Sequence, residues 1–226
     1  SRRKEILDMN TKKLLAFALA AAMTLSLTAC GGGETKAPAA PNGGNNSAAS
    51  GAQTGGDASN LPEITSAPCA TPAVLTSIGQ SADVEIVGTL CNKAGVEVEL
   101  NNTITADELS ADCKTLLLAV GGSSKGLGAA GIDADQELAR TEDLLSKADE
   151  LGITVVALHT GGSARRGTLS DSFISPAFAA ADIAIVVSEG DGDGLMSGIL
   201  AGNSTPSAYV EQVADCIETL KTLFGV

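Results

Sequence analysis

The chain has 226 residues, enough for one ordinary domain with some length left over. Aromatic residues make up only 2% and Trp is absent, so any core must be aliphatic. With 14 basic against 27 acidic residues the net charge is −13. That balance repels polyphosphates and anionic headgroups, and no nucleic-acid partner is expected.

In chain order, Lys12-Lys13 precede the apolar run LLAFALAAAMTLSL, which leads into Leu27-Thr28-Ala29-Cys30. A basic start, an apolar middle and small residues before a cut are the marks of a secretory signal. At roughly 1.5 Å per residue the run is short for a permanent transmembrane helix. Leu-Thr-Ala-Cys resembles the bacterial lipobox, which implies that Cys30 is lipidated at its thiol and becomes the first residue. The implied partner is the membrane, and the implied location is the extracytoplasmic face of a bacterial cell membrane, with the domain lipid-anchored. Met9 stands just before this segment, so residues 1–8 are expected to lie upstream of the translated start. Cutting before Cys30 removes five basic and two acidic residues, leaving 9 against 25, a net charge of −16.

Three parts are expected: upstream residues and signal over 1–29, a tether over 30–68, and an α/β domain over 69–226. The tether is rich in Gly, Ala, Ser, Asn and Pro and nearly free of branched aliphatics. Such a segment buries too little apolar surface to offset its ordering entropy.

Strand-like and helix-like stretches alternate through the domain. Residues 73–78 read as a first strand, followed by a helix over 83–93 with apolar spacing at Val84, Val87, Leu90 and Cys91. Residues 96–100 alternate apolar and acidic, as an edge strand does, and 105–110 open as a capped short helix. The most apolar strand is 115–120. Asp133 is placed to cap a helix that stops at Gly152. Strands follow at 153–159 and at 183–187, the latter entered from residues 178–182. Helices over 194–201 and 207–224 close the chain. This alternation implies right-handed crossovers and a single three-layer, Rossmann-like or flavodoxin-like domain, with a five-stranded, mostly parallel sheet in the order 2-1-3-4-5. The ligand crevice of such a sheet lies at its C-terminal edge, where the loops after the first and third strands diverge.

Those loops hold Gly79, Gln80 and Ser81, and then Gly121, Gly122, Ser123, Ser124, Lys125 and Gly126. Glycine-rich turns at strand ends offer backbone N–H groups to an anion. Lys125, Arg165 and Arg166, three of the few cations expected in the mature chain, all follow predicted strands. His159 is the only histidine; it ends the fourth strand, just before Thr160-Gly161-Gly162-Ser163. A strand-end His can act as base or ligand, with Ser123, Ser124 or Ser163 as nucleophile and Asp171 or Asp191 as orienter. No G-x-S-x-G elbow is present.

No cofactor and no metal are expected. Gly126-x-Gly128-x-x-Gly131 has the letters of a dinucleotide fingerprint, but it is displaced from the strand end, and the next strand ends without a carboxylate. Glu189, Asp191 and Asp193 offer oxygen ligands without the rest of a calcium loop, which favours a helix start. Cys69, Cys91, Cys113 and Cys216 contain no C-x-x-C pair. Cys91 and Cys216 read as core residues, Cys69 and Cys113 stand just before strands, and the pairing is open.

VGGSSKGLGAAGID (120–133), LHTGGSARRGTLSD (158–171) and Gly79-Gln80-Ser81 resemble a family of exported bacterial lipoprotein α/β domains of unknown function. The resemblance implies that Ser123, Ser124, Lys125, His159, Arg165, Arg166 and Asp171 share one site. The expected function is binding of a small anionic or polar ligand by Gly79–Ser81, Gly121–Gly126, His159, Gly161, Gly162, Arg165, Arg166 and Asp171. One alternative is a hydrolase or transferase using Ser123 or Ser124 with Lys125 or His159. The other is a structural or partner-docking domain.

Overall fold

A computed structural model describes residues 58–226. The expected signal, Cys30 and most of the expected tether lie outside the described residues. Six parallel strands form one sheet in the order β2-β1-β3-β4-β5-β6. They are β1 (Ala73–Ile78), β2 (Glu99–Leu100), β3 (Thr115–Val120), β4 (Thr154–His159), β5 (Ile183–Val187) and β6 (Ser207–Val210). The first five take the expected 2-1-3-4-5 order; the sixth strand corrects the expected count. The single helix expected over 207–224 is also corrected. Ser207 donates its N–H to the Pro62 carbonyl, and the segment pairs with β5 before turning helical. Tyr209 and Val210 suit a strand, and only the later half has a helical apolar stripe.

The helices are α1 (Asp83–Ala94), α2 (Ser124–Ala130), α3 (Ala134–Leu151), α4 (Thr168–Ala180), α5 (Leu195–Asn203) and α6 (Cys216–Phe224). Val84, Val87, Leu90 and Cys91 of α1, with Cys216, Leu220 and Leu223 of α6, cover one sheet face. Leu144 and Leu145 of α3, Phe173, Ile174, Ala177 and Phe178 of α4, and Met196 and Leu200 of α5 cover the other. Each large apolar side chain among these, fully buried, contributes about 1.5–3 kcal/mol. The α3 boundaries follow local chemistry. Asp133 and Gln136 form a reciprocal capping box, and Gly152 ends the helix in the left-handed region at φ 67°.

Two further expectations are corrected, and one helix, α4, was not expected. The expected glycine-rich loop is helical from Ser124, because Gly121-Gly122 complete the turn and the Ser123 side chain accepts the Gly126 N–H as a cap. At 105–110 the capping contacts exist, with the Thr105 N–H and hydroxyl both donating to Glu108, but only turns follow. α4 carries Pro176 inside it, and that proline hid the helix from a reading by propensity.

Candidate functional site

Gly79–Ser81 and Gly121–Ser123 meet at the ends of the paired strands β1 and β3, where the crevice was expected. There the backbone is stitched together. The Gly121 N–H donates to Ile78 O at 2.9 Å and the Ser123 N–H to Gly79 O at 2.8 Å. The Gly122 N–H donates to Ser170 Oγ at 3.1 Å, and Gln80 bridges to Gly122. A side chain at Gly126 would overlap the Gln80 carbonyl oxygen, and one at Gly79 would strike Phe173 and the Gly121 carbonyl. These glycines let backbone pack on backbone. The N–H groups of Gly121, Gly122, Ser123 and Gly126 are all bonded within the chain.

From the far side, a buried ion pair holds the same turn. Glu137 is fully buried and accepts from the Gly79 N–H at 2.8 Å, Gln80 Nε2 at 3.1 Å and Arg140 Nε at 2.8 Å. Arg140 donates onward to the Ser77 and Ile104 carbonyls. Gln80 is thereby held at φ 56°, a region that non-glycine residues seldom occupy.

His159 ends β4, fully buried, with Nδ1 2.9 Å from Val120 O. A carbonyl oxygen can only accept, so Nδ1 bears the proton and Nε2 presents a lone pair. That Nε2 has no partner. It lies against Gly190, where a side chain would start 2.9 Å away. Burial pushes the His159 pKa down; the Val120 bond opposes this, Arg166 adds to it, and Asp83 and Asp171 oppose it. Burial thus favours the neutral form of the ring.

Two further buried polar atoms lack partners, Asp83 Oδ2 and Thr160 Oγ1. Asp83 opens α1 just after the β1 turn, with its N–H on Ser81 Oγ at 3.2 Å. Its carboxylate lies over Gly121, where a side chain would start 3.3 Å from Oδ2. Arg165, from the turn after β4, brings a terminal nitrogen to 3.8 Å from Asp83 Oδ1. The Asp83 side chain is 4% exposed and that of Arg165 52%. One buried acid and one solvated base thus face each other beside the end of β3.

Arg166 is spent differently. It donates to Asp171 at 2.7 Å, to the Gly190 carbonyl at 2.6 Å and to both Asp193 oxygens at 3.0 Å. This clamps the turn after β4 to the turn after β5. The carboxylates of that second turn are taken too. Asp191 accepts the Met196 and Ser197 N–H groups at the start of α5 and the Tyr209 hydroxyl, while Glu189 accepts from Ser163. Among the described residues no group of three or more His, Cys, Asp or Glu is placed to hold a metal ion. Ser124 and Lys125 stand in the first turn of α2, both exposed, and Gly161 and Gly162 pack against Arg165 and Glu189.

A family model described as Domain of unknown function (DUF6305) matches residues 70–224. The chain belongs to the DUF6305 family. No curated protein matches it.

Elsewhere in the DUF6305 domain, a groove of about 1320 Å³ runs beside β2. Glu85, Glu97, Glu99 and Asp112 on its walls are exposed and already solvated. The four described cysteines are buried free thiols, and burial raises Cys69 and Cys216 to about 11 and Cys91 to about 12. Burial favours the protonated thiol in all four. Among the described residues no helix is long and apolar enough to cross a membrane.

Sequence reasoning placed His159, Arg165 and Ser81 at this edge but missed Asp83, Thr160, Glu137 and Arg140. One signal was available for Glu137. It shares the stripe of Thr141, Leu144, Leu145 and Ala148 on α3, and a carboxylate on an apolar stripe needs a buried partner.

Proposed function

We propose that this DUF6305 protein is a lipid-anchored, extracytoplasmic binding protein that takes a small polar ligand at the C-terminal edge of its sheet. Cys30 carries the lipid in this reading, and the segment to about residue 68 holds the domain away from the bilayer. The observation that carries the ligand reading is the unpartnered buried Asp83 Oδ2, on a carboxylate that lies beside the solvated Arg165. A buried polar atom without a bond costs about 1–3 kcal/mol, and a ligand that bonds it recovers that energy. The anion cradle of glycine N–H groups drops out of the proposal, since those donors are already used. So does Arg166, which serves as a clamp.

Native mass spectrometry of the full chain from its own membrane tests the binding reading. A co-purifying small solute, released by Arg165→Ala, is the expected result. Cys30→Ala is expected to move the protein from the membrane to the soluble fraction. An unchanged distribution contradicts the anchor.

A second reading, hydrolase or transferase, draws on His159. Its neutral Nε2 lone pair is what a general base requires. Ser123 is committed to capping α2, which leaves Ser124 and Lys125 as the remaining groups of that reading. Turnover that His159→Asn abolishes while binding persists would favour it.

A further inference from the structure

Resting on the binding reading, we propose that the ligand is a zwitterion of the α-amino-acid type, its ammonium received by Asp83 Oδ2 and its carboxylate by Arg165. Three features of the site lead there. Asp83 is a buried carboxylate with a whole oxygen unbonded, so the ligand must bring a donor to it. A plain anion reaching Arg165 would also meet the Asp83 carboxylate, which lies only 3.8 Å from the guanidinium, and the two like charges would repel. A plain amine would satisfy Asp83 but leave the solvated face of Arg165 without the planar acceptor that a guanidinium fork favours. A molecule with both charges on adjacent carbons offers donor and acceptor at the spacing of this acid–base pair. Gly121 lies directly against this oxygen: a side chain there would start 3.3 Å from Asp83 Oδ2 and 3.3–3.4 Å from Ser81.

Thermal unfolding of the full chain, followed by circular dichroism, tests this with three probe sets at equal concentration. They are α-amino acids (glycine, serine, glutamate and leucine), carboxylates without an amine (acetate and propionate, with inorganic phosphate), and ethylamine. The expected result is a rise of about 5–10 °C in Tm from at least one amino acid at about 100-fold above its Kd, with the other two sets inert. The rise should vanish in Asp83→Asn and in Arg165→Gln. Arg165 is solvated enough that its variant folds even if the Asp83 variant does not. An equal rise from acetate or phosphate overturns the zwitterion while leaving ligand binding at this edge standing. An amino-acid rise that survives Arg165→Gln overturns the site. Inertness of all three sets counts against the binding reading itself.

Discussion

His159 donates its Nδ1–H to the carbonyl oxygen of Val120, 2.9 Å away on the neighbouring strand. That single bond fixes the tautomer, ties the ends of β3 and β4 together and turns an unpartnered lone pair toward Gly190. His159→Ala should cost about 2–4 kcal/mol, from a cavity and an orphaned carbonyl together. His159→Asn keeps an N–H where Nδ1 was and should cost clearly less. Urea denaturation of both variants decides.

The same ring predicts a pH dependence. Its folded pKa is depressed below the ordinary 6.5, chiefly by burial, so between the folded and unfolded values the unfolded chain binds more protons. Stability is therefore full above about pH 7 and falls as acid is added, through 6.5 toward the depressed value. Arg166, Asp83 and Asp171 are the charged groups acting on the ring. The slope of unfolding free energy between about pH 7.5 and 5.5 should be flatter in His159→Asn than in the parent.

Two glycines of α2 should respond with opposite signs. Gly126→Ala drives a methyl into the Gln80 carbonyl, where backbone on both sides cannot yield cheaply, and should cost about 2–3 kcal/mol. At Gly128 an added methyl would meet nothing within 4 Å, so Gly128→Ala should stabilise by about 0.5–1 kcal/mol through helix propensity. Melting temperatures of the two variants check the pair.

Glu137 and Arg140 form a buried pair that does more than neutralise itself. Glu137→Ala should cost about 3–5 kcal/mol, because Arg140 is left charged at 11% exposure. Replacing both, as in Glu137→Leu with Arg140→Met, often rescues a buried pair. Here it should not, since the Gly79 N–H and the Ser77 and Ile104 carbonyls lose their partners as well. A double variant as stable as the parent would contradict this role.

The central strands were legible because each is an unbroken apolar run bounded by turn residues; β1, β3 and β5 match their expected spans. The caps at Asp133 and Gly152 were legible because capping chemistry is local. β6 and α4 were not, because a four-residue edge strand depends on β5 for its pairing and Pro176 breaks the local helix pattern. The edge of the sheet was found from glycine and cation placement, but the roles within it were not. Whether Gly121 serves a ligand or a neighbouring carbonyl is decided by residues far off in sequence, among them Ile78 and Asp83. Arg165 and Arg166 are adjacent and similar in the chain, yet one is solvated and the other clamped between Asp171 and Asp193.

The most direct test is amide chemical-shift mapping of the full chain during titration with the amino acid that gives the largest Tm rise. The account predicts changes gathered at residues 79–83, 121–122 and 160–166. Changes gathered instead beside β2, around Glu85 and Glu97–Glu99, would contradict it.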